Sequence, residues 1–201
     1  SALRARQQQR LAPFGDRVAW AERLPAAMQG VVVGNEVLDA MPAKLITFDG
    51  THWLERGVAL HEGRFTFADV PTPRRPPVDA PFAAGTVTEI HPQACAFVAT
   101  LAERLTRGLA LFVDYGFPEA EYYHPQRSGG TLMCHRAHRA DADPLADVGL
   151  KDITVHVDFT AIALAAQDAG MEVAGYTSQA RFLVNCGIEG LLEPASPAAR
   201  S

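Results

Sequence analysis

Two apolar runs in the chain stop abruptly at side chains able to hold a ligand. The stretch "GVVVGNEVLDAMPAK", Gly30 to Lys44, passes from three valines to Asn35 and Glu36, with Asp39 about one helical turn further on. The stretch "LALFVDYG" ends in Asp114 and Tyr115. An amide, three carboxyl groups and a phenol collected at the ends of buried strands would line one polar cleft. Any one of them alone would equally serve to cap the helix that follows its strand. Two strands ending in the same manner favour the cleft.

Other reactive side chains are less well organised. "CHRAH" offers Cys134, His135 and His138, but a fourth ligand would have to come from His124 or His156, and no paired spacing supports a zinc site, so no metal is expected. His156, flanked by Val155 and Val157, reads as a core or turn histidine as readily as a base. Tyr122, Tyr123 and His124 read as a solvated loop that could line a lid. The sequence contains no Gly-x-Gly phosphate loop, no Gly-x-Ser-x-Gly elbow and no Walker motif.

The elements that would carry these residues follow from periodicity. Leu3, Gln7, Leu11 and Phe14 share a helical face, which predicts a helix over residues 2–11. Arg17 to Trp20 is a short strand candidate, and "GVVVGN" is a β-branched run of the kind buried on both faces of a parallel sheet. Residues 44–70 alternate apolar and polar side chains around turn signals at Asp49-Gly50 and Glu62-Gly63, which predicts an antiparallel meander of three strands. Five prolines between residues 70 and 84 mark a surface loop. Pro92 opens a helix of about four turns through Ala96, Val98, Leu101 and Leu105, with Gly108 past its end. A buried strand follows at Leu109–Val113. Further strands are expected at Thr131–His135 and in "MEVAGYTS", a polar loop in "ADADPLADVG", a helix over Thr160–Ala169 capped by Asp158 or Thr160, and a closing helix in "QARFLVNCGIEGLL". Helices alternating with parallel-type strands predict one α/β domain over residues 1–201, whose ligands bind outside the carboxyl ends of the strands.

Composition agrees with a single globular unit. The 201 residues are 48% hydrophobic and 20% charged, enough for one core. A net charge of −5 disfavours nucleic acid or an anionic membrane as partner, and no apolar run reaches the length of a bilayer span. Three widely spaced cysteines, Cys95, Cys134 and Cys186, fit a reducing compartment, so the cytoplasm is the expected location.

"VVVGNEVLDAMP", "ALFVDYG", "GGTLMCHRAHRADADPLADVGLKDITVHVDFTAI" and "TSQARFLVNCGI" together resemble, in order, the motifs of the MidA-type S-adenosylmethionine-dependent methyltransferases. That family includes a mitochondrial protein arginine methyltransferase needed for assembly of respiratory complex I. The resemblance implies a class I methyltransferase-like, Rossmann-like sheet with the meander as an insertion, S-adenosyl-L-methionine as cofactor, and a protein side chain such as arginine as acceptor, with a respiratory complex subunit as one candidate partner. It further implies that the chain starts after the glycine-rich cofactor loop and the acid that binds the ribose. A chain so truncated is expected to bind the cofactor weakly or not at all and to pair with a second copy through the uncovered sheet edge.

Residue roles follow from the same resemblance. Trp20, Ala21 and Glu22 would close the third strand beside the adenine, and Asn35 and Glu36 the fourth strand beside the methyl donor. Glu36 and Asp39 would share the acceptor pocket, where carboxyl groups could orient a guanidinium, and Asp114 and Tyr115 would flank it. His135, His138, Asp152, His156 and Asp158 would shape the entrance, with His156 and Asp158 nearest the pocket. The competing expectation is an assembly or binding module that keeps the methyltransferase-like fold without the chemistry.

Overall fold

The computed structural model describes residues 2–137 and 139–191. His138 lies outside them, as does Leu192 at the end of the expected closing helix. Helix α1 (Ala2–Leu11) is followed by a 3-10 segment, Ala12–Arg17, bent at Gly15. The strand expected at Arg17–Trp20 does not form: residues 18–21 are irregular and join no ladder, and a strand without a hydrogen-bonded neighbour has nothing to define it.

Strand β1 (Met28–Asn35) ends at the amide and carboxyl groups that drew notice in the sequence. Its burial differs from expectation. Val31 and Val33 are 68% and 65% exposed, because among the described residues no element packs over their side of the strand.

Strands β2 (Lys44–Phe48), β3 (Trp53–His61) and β4 (Arg64–Pro71) run antiparallel in succession, and β5 (Val87–Ile90) joins β2 as a fourth, giving the order β4-β3-β2-β5. The β3–β4 turn is made by Glu62 and Gly63, both at positive φ (50° and 76°), the geometry whose twist suits a two-residue hairpin. Arg56 and Asp69 face each other across that hairpin and form two parallel hydrogen bonds of 2.8 Å. The proline-rich stretch after Pro71 is irregular as far as Ala84.

Helix α2 (Pro92–Arg104) starts on Pro92 and buries Ala94, Val98 and Leu101. It ends earlier than its periodicity predicts. Leu105 already belongs to β6 (Leu105–Val113), which pairs with β1 in parallel. Gly108 is a point of close approach in this ladder rather than a helix stop: it lies opposite Gly30, and a Cβ on it would sit 1.8 Å from the Gly30 carbonyl oxygen.

The chain continues through β7 (Gly116–Phe117), α3 (Glu119–Tyr122), β8 (Met133–Arg136), β9 (Arg139–Asp141), β10 (Asp152–Thr154), β11 (Val157–Asp158) and α4 (Phe159–Asp168). Strands β8 to β10 form a small antiparallel sheet, so the stretch read as a polar loop holds a strand at its start. Strand β7 pairs in parallel with β11. "MEVAGYTS" joins no ladder, and α5 (Gln179–Asn185), capped by the Ser178 hydroxyl, and α6 (Ile188–Leu191) complete the described chain. Tyr122 and Tyr123 are buried rather than solvated. The core is built where α2 and α4 meet the end of β1: Leu38, Ala94, Val98, Val157 and Ile162, with Met41, Phe112 and Phe159 packed around them.

Candidate functional site

The site forms where β1 and β6 stop side by side. Beyond Asn35 the backbone turns through Glu36, which adopts φ +49° while its N–H donates to the Val113 carbonyl at 2.9 Å. That turn aims three successive amides at one oxygen. The N–H groups of Val37, Leu38 and Asp39 donate to Oδ2 of Asp114 at 3.2, 2.9 and 3.3 Å, and Oδ1 of Asp114 accepts from the Tyr115 N–H at 2.9 Å. Asp114 is thus the anchor that fixes the loop carrying Asp39. Burial raises its pKa, assisted by the neighbouring charge of Asp39 and opposed by the amide hydrogen bonds.

Asp39 is buried, and Tyr115 donates a short hydrogen bond from its hydroxyl to Oδ2. The other oxygen, Oδ1, is buried without a partner. Burial and the bond to Asp39 push the Tyr115 phenol up to about 12, so it stays protonated and a donor at neutral pH.

His156 completes the cluster. Its ring stacks on Phe117 at 5.2 Å with 6° between the planes and meets Tyr115 edge-on at 5.2 Å, while the Arg127 guanidinium lies 4.3 Å from the Phe117 centroid. Desolvation, with a smaller contribution from the Arg127 charge, lowers the imidazole pKa and keeps the ring neutral at pH 7. Nδ1 has no partner. The backbone that carries the ring is held at three consecutive amides: Val155 N–H to the Asp39 carbonyl at 3.2 Å, His156 N–H to Oγ1 of Thr131 at 3.0 Å, and Val157 N–H to the Tyr115 carbonyl at 2.9 Å. The last contact requires Gly116, where any Cβ would meet the Val157 oxygen at 2.0 Å.

Of the residues singled out in the sequence, the fold therefore gathers Asp39, Asp114, Tyr115 and His156. Asn35 and Glu36 lie at the rim, exposed. Asp158 is close in sequence but differently employed: it is the N-cap of α4, its Oδ1 accepting from Thr160 and Ala161 N–H at 3.1 Å each. Trp20, Ala21 and Glu22 are exposed in an irregular segment, tied to α1 by an Arg4–Glu22 ion pair of 3.4 Å and by Arg4 over the Trp20 ring, and they close no strand. His135 and Asp152 are exposed partners across β8 and β10, apart from the cluster. Among the described residues no group of three His, Cys, Asp or Glu side chains could hold a metal, and no helix is long and apolar enough to cross a membrane. Sequence reasoning missed Phe117, Arg127 and Thr131. The double glycine before Thr131 was the available signal that the chain there must approach something closely.

Two buried atoms without a partner, Oδ1 of Asp39 and Nδ1 of His156, thus belong to residues that both contact Tyr115. Such an arrangement can receive the N–H groups of an amine or guanidinium and retain a proton released from it.

The chain is 48% identical, at a TM-score of 0.91, to a COG1565 superfamily member from Burkholderia thailandensis crystallised with S-adenosyl-homocysteine; the match covers 99% of this chain and 54% of that one. A second structure of a COG1565 superfamily protein from the same organism is 49% identical at a TM-score of 0.90, covering 98% of this chain and 55% of that one. Among curated proteins it is similar to mitochondrial proteins named protein arginine methyltransferase NDUFAF7 homolog, at 28% identity in Caenorhabditis elegans and 30% in Drosophila melanogaster, over 87% and 89% of this chain. It spans 42% of the length of each of these relatives. With residues 1–177 matched, the chain belongs to the family described as "Putative S-adenosyl-L-methionine-dependent methyltransferase".

Proposed function

We propose that the chain carries the acceptor side of an S-adenosyl-L-methionine-dependent methyltransferase that acts on a nitrogen of a protein side chain, arginine foremost. The observation that carries this reading is the buried, unpaired Oδ1 of Asp39, held in place by Tyr115 and by the amides that Asp114 organises. An unpartnered buried oxygen costs stability, and a guanidinium N–H would satisfy it. Family membership, the S-adenosyl-homocysteine in the Burkholderia thailandensis structure and the arginine named in the curated relatives support the same choice.

The residues present fit such a cofactor at the rim, where Asn35 and Glu36 stand exposed at the end of β1 in the place a Rossmann-like sheet uses for its ligand. When bound, the cofactor would supply a methyl group on a sulfonium, whose carbon the acceptor nitrogen could take in line as the S–C bond breaks and the thioether leaves. Asp39 orients the acceptor, so that the nitrogen lone pair faces the methyl carbon. His156, neutral at pH 7, takes up the proton that nitrogen loses once the new N–C bond has formed. Phe117 and Tyr115 keep the imidazole in place and exclude water.

The sequence holds no Gly-x-Gly loop to approach the cofactor backbone, so the chain alone is expected to bind weakly. Calorimetric titration of S-adenosyl-L-methionine into the chain and into a form extended upstream by a glycine-rich strand tests this. Binding by the extended form, with transfer of label from the methyl-tritiated cofactor to arginine peptides, is the expected result. Binding by neither would favour an assembly module on a methyltransferase-like fold.

A further inference from the structure

Glu89 is a fully buried acid that the site as described does not employ. It is fully enclosed on β5, in the four-stranded sheet, and both carboxyl oxygens are occupied. Oε1 accepts the N–H groups of Thr131 and Leu132 at 2.8 and 3.0 Å; Oε2 accepts the hydroxyls of Tyr122 at 3.0 Å and Thr131 at 3.1 Å. Tyr122 is in turn 3.0 Å from Nε2 of His91, whose ring burial keeps neutral. Tyr122 and Thr131 also lie 3.1 Å from each other, so the two hydroxyl protons are shared between Glu89 and this contact, and in each arrangement the Thr131 oxygen keeps a lone pair for a further donor.

That lone pair is used. It accepts the His156 N–H at 3.0 Å, and it is the one side-chain acceptor among the three that hold residues 155 to 157. The turn has been shaped for the purpose. Gly130 sits at φ +73°, and a Cβ there would fall 2.4 Å from Oε1 of Glu89, so the backbone approaches the carboxyl as closely as a glycine allows.

Resting on the reading of His156 given above, we propose that Glu89 is a positioning residue: through Thr131 it sets the height of the His156 backbone, and with it the seat of the imidazole between Tyr115 and Phe117. The four-stranded sheet is by this route part of the catalytic apparatus rather than a neighbouring layer. Glu89 touches no reacting atom; it holds Thr131 at the hydroxyl and at the backbone N–H, and its charge also acts on the imidazole, which is why the charge-preserving threonine variants carry the test.

The test compares Thr131→Val, which keeps the shape and loses the hydroxyl, with Thr131→Ser, which keeps the hydroxyl, and with Glu89→Gln. The first readout is the imidazole Cε1–H resonance of His156 and its titration in the histidine-labelled chain, assigned by its disappearance in His156→Gln. Thr131→Val and Glu89→Gln are expected to move that resonance and its midpoint, and Thr131→Ser to restore them. The second readout is methyl transfer by the extended form, where turnover should fall about tenfold or more in the first two variants with cofactor affinity unchanged within about twofold. A His156 signal identical in wild type and Thr131→Val, or a Thr131→Ser as disturbed as Thr131→Val, overturns the inference. Absence of methyl transfer in the wild type overturns the proposed function and leaves the resonance comparison to decide the positioning role. Should Glu89→Gln fail to fold, the two threonine variants decide it.

Discussion

Replacing Tyr115 by phenylalanine removes one oxygen and leaves every carbon in place. In the structure that oxygen is the donor to Oδ2 of Asp39, a buried side chain whose Oδ1 already has no partner. Tyr115→Phe therefore leaves a buried carboxyl group without any side-chain donor. Stranding such a group costs about 1–3 kcal/mol, more when it is charged. Part of that is returned, because the phenol hydroxyl no longer needs burial. A net loss of about 2 kcal/mol follows, which for a chain of this size corresponds to a fall in Tm of roughly 4–8 °C. Urea unfolding of the wild type, Tyr115→Phe, Asp39→Ala and the double variant measures it as a cycle. In the Asp39→Ala background the tyrosine change should cost less than about 0.5 kcal/mol, since the acceptor is gone. Equal costs in the two backgrounds, or a Tyr115→Phe as stable as wild type, would refute the claim that this hydroxyl is what makes Asp39 tolerable where it is.

Three further outcomes can be checked on the same material. His91 has its pKa lowered by burial from 6.5 to about 4, so an unfolded chain takes up a proton there that the folded chain refuses. Stability contributed by His91 is complete above pH 6.5 and is lost, by about 3 kcal/mol, as the pH falls toward 4; pH-dependent urea midpoints should slope less steeply in His91→Gln. Gly130→Ala places a methyl group against the Glu89 carboxyl at positive φ and should cost about 2 kcal/mol or more, whereas Gly129→Ala, which meets nothing within 4 Å, should be nearly neutral in thermal unfolding. Asp158→Ala removes the α4 cap and should lower stability by about 1 kcal/mol, with Asp158→Asn recovering most of it by the same measurement.

What could be read from the sequence, and what could not, divides along the range of the interactions. The turns at Asp49-Gly50 and Glu62-Gly63 and the start of α2 at Pro92 depend on neighbours a few residues away and could be read directly, as could the presence of an α4 cap, which the sequence left between Asp158 and Thr160 and the structure gives to Asp158. The polar ends of β1 and β6 could be read for the same reason. Their mutual roles could not: that Asp114 serves the amides of residues 37–39, while Tyr115 serves Asp39, depends on the register between two strands more than seventy residues apart. Leu105 to Gly108 reads as a helix tail because Leu105 continues the spacing from Leu101, yet the ladder with Met28 to Gly30 claims these residues. "VAW" and "MEVAGYTS" have strand composition and no strand partner, which composition cannot reveal. Glu89 escaped notice altogether. In "VTEI" a glutamate reads as the solvent-facing member of an alternating pair, and only the distant Thr131 and Tyr122 make the inward direction favourable.

The three successive amides at Val155, His156 and Val157 bond to Asp39, Thr131 and Tyr115, which lie on three separate parts of the chain. None of these bonds can form locally, so each waits for a loop closure, and the segment gains its reward only when all three partners are already in place. Local fraying has no cheap way in: releasing one amide disturbs the seating of the next. Hydrogen exchange at these positions should accordingly follow unfolding of the whole unit rather than small openings. The cluster of Asp39, Tyr115 and His156 would then be among the last features to assemble and would appear all at once, so that a partly folded chain presents no partial version of it.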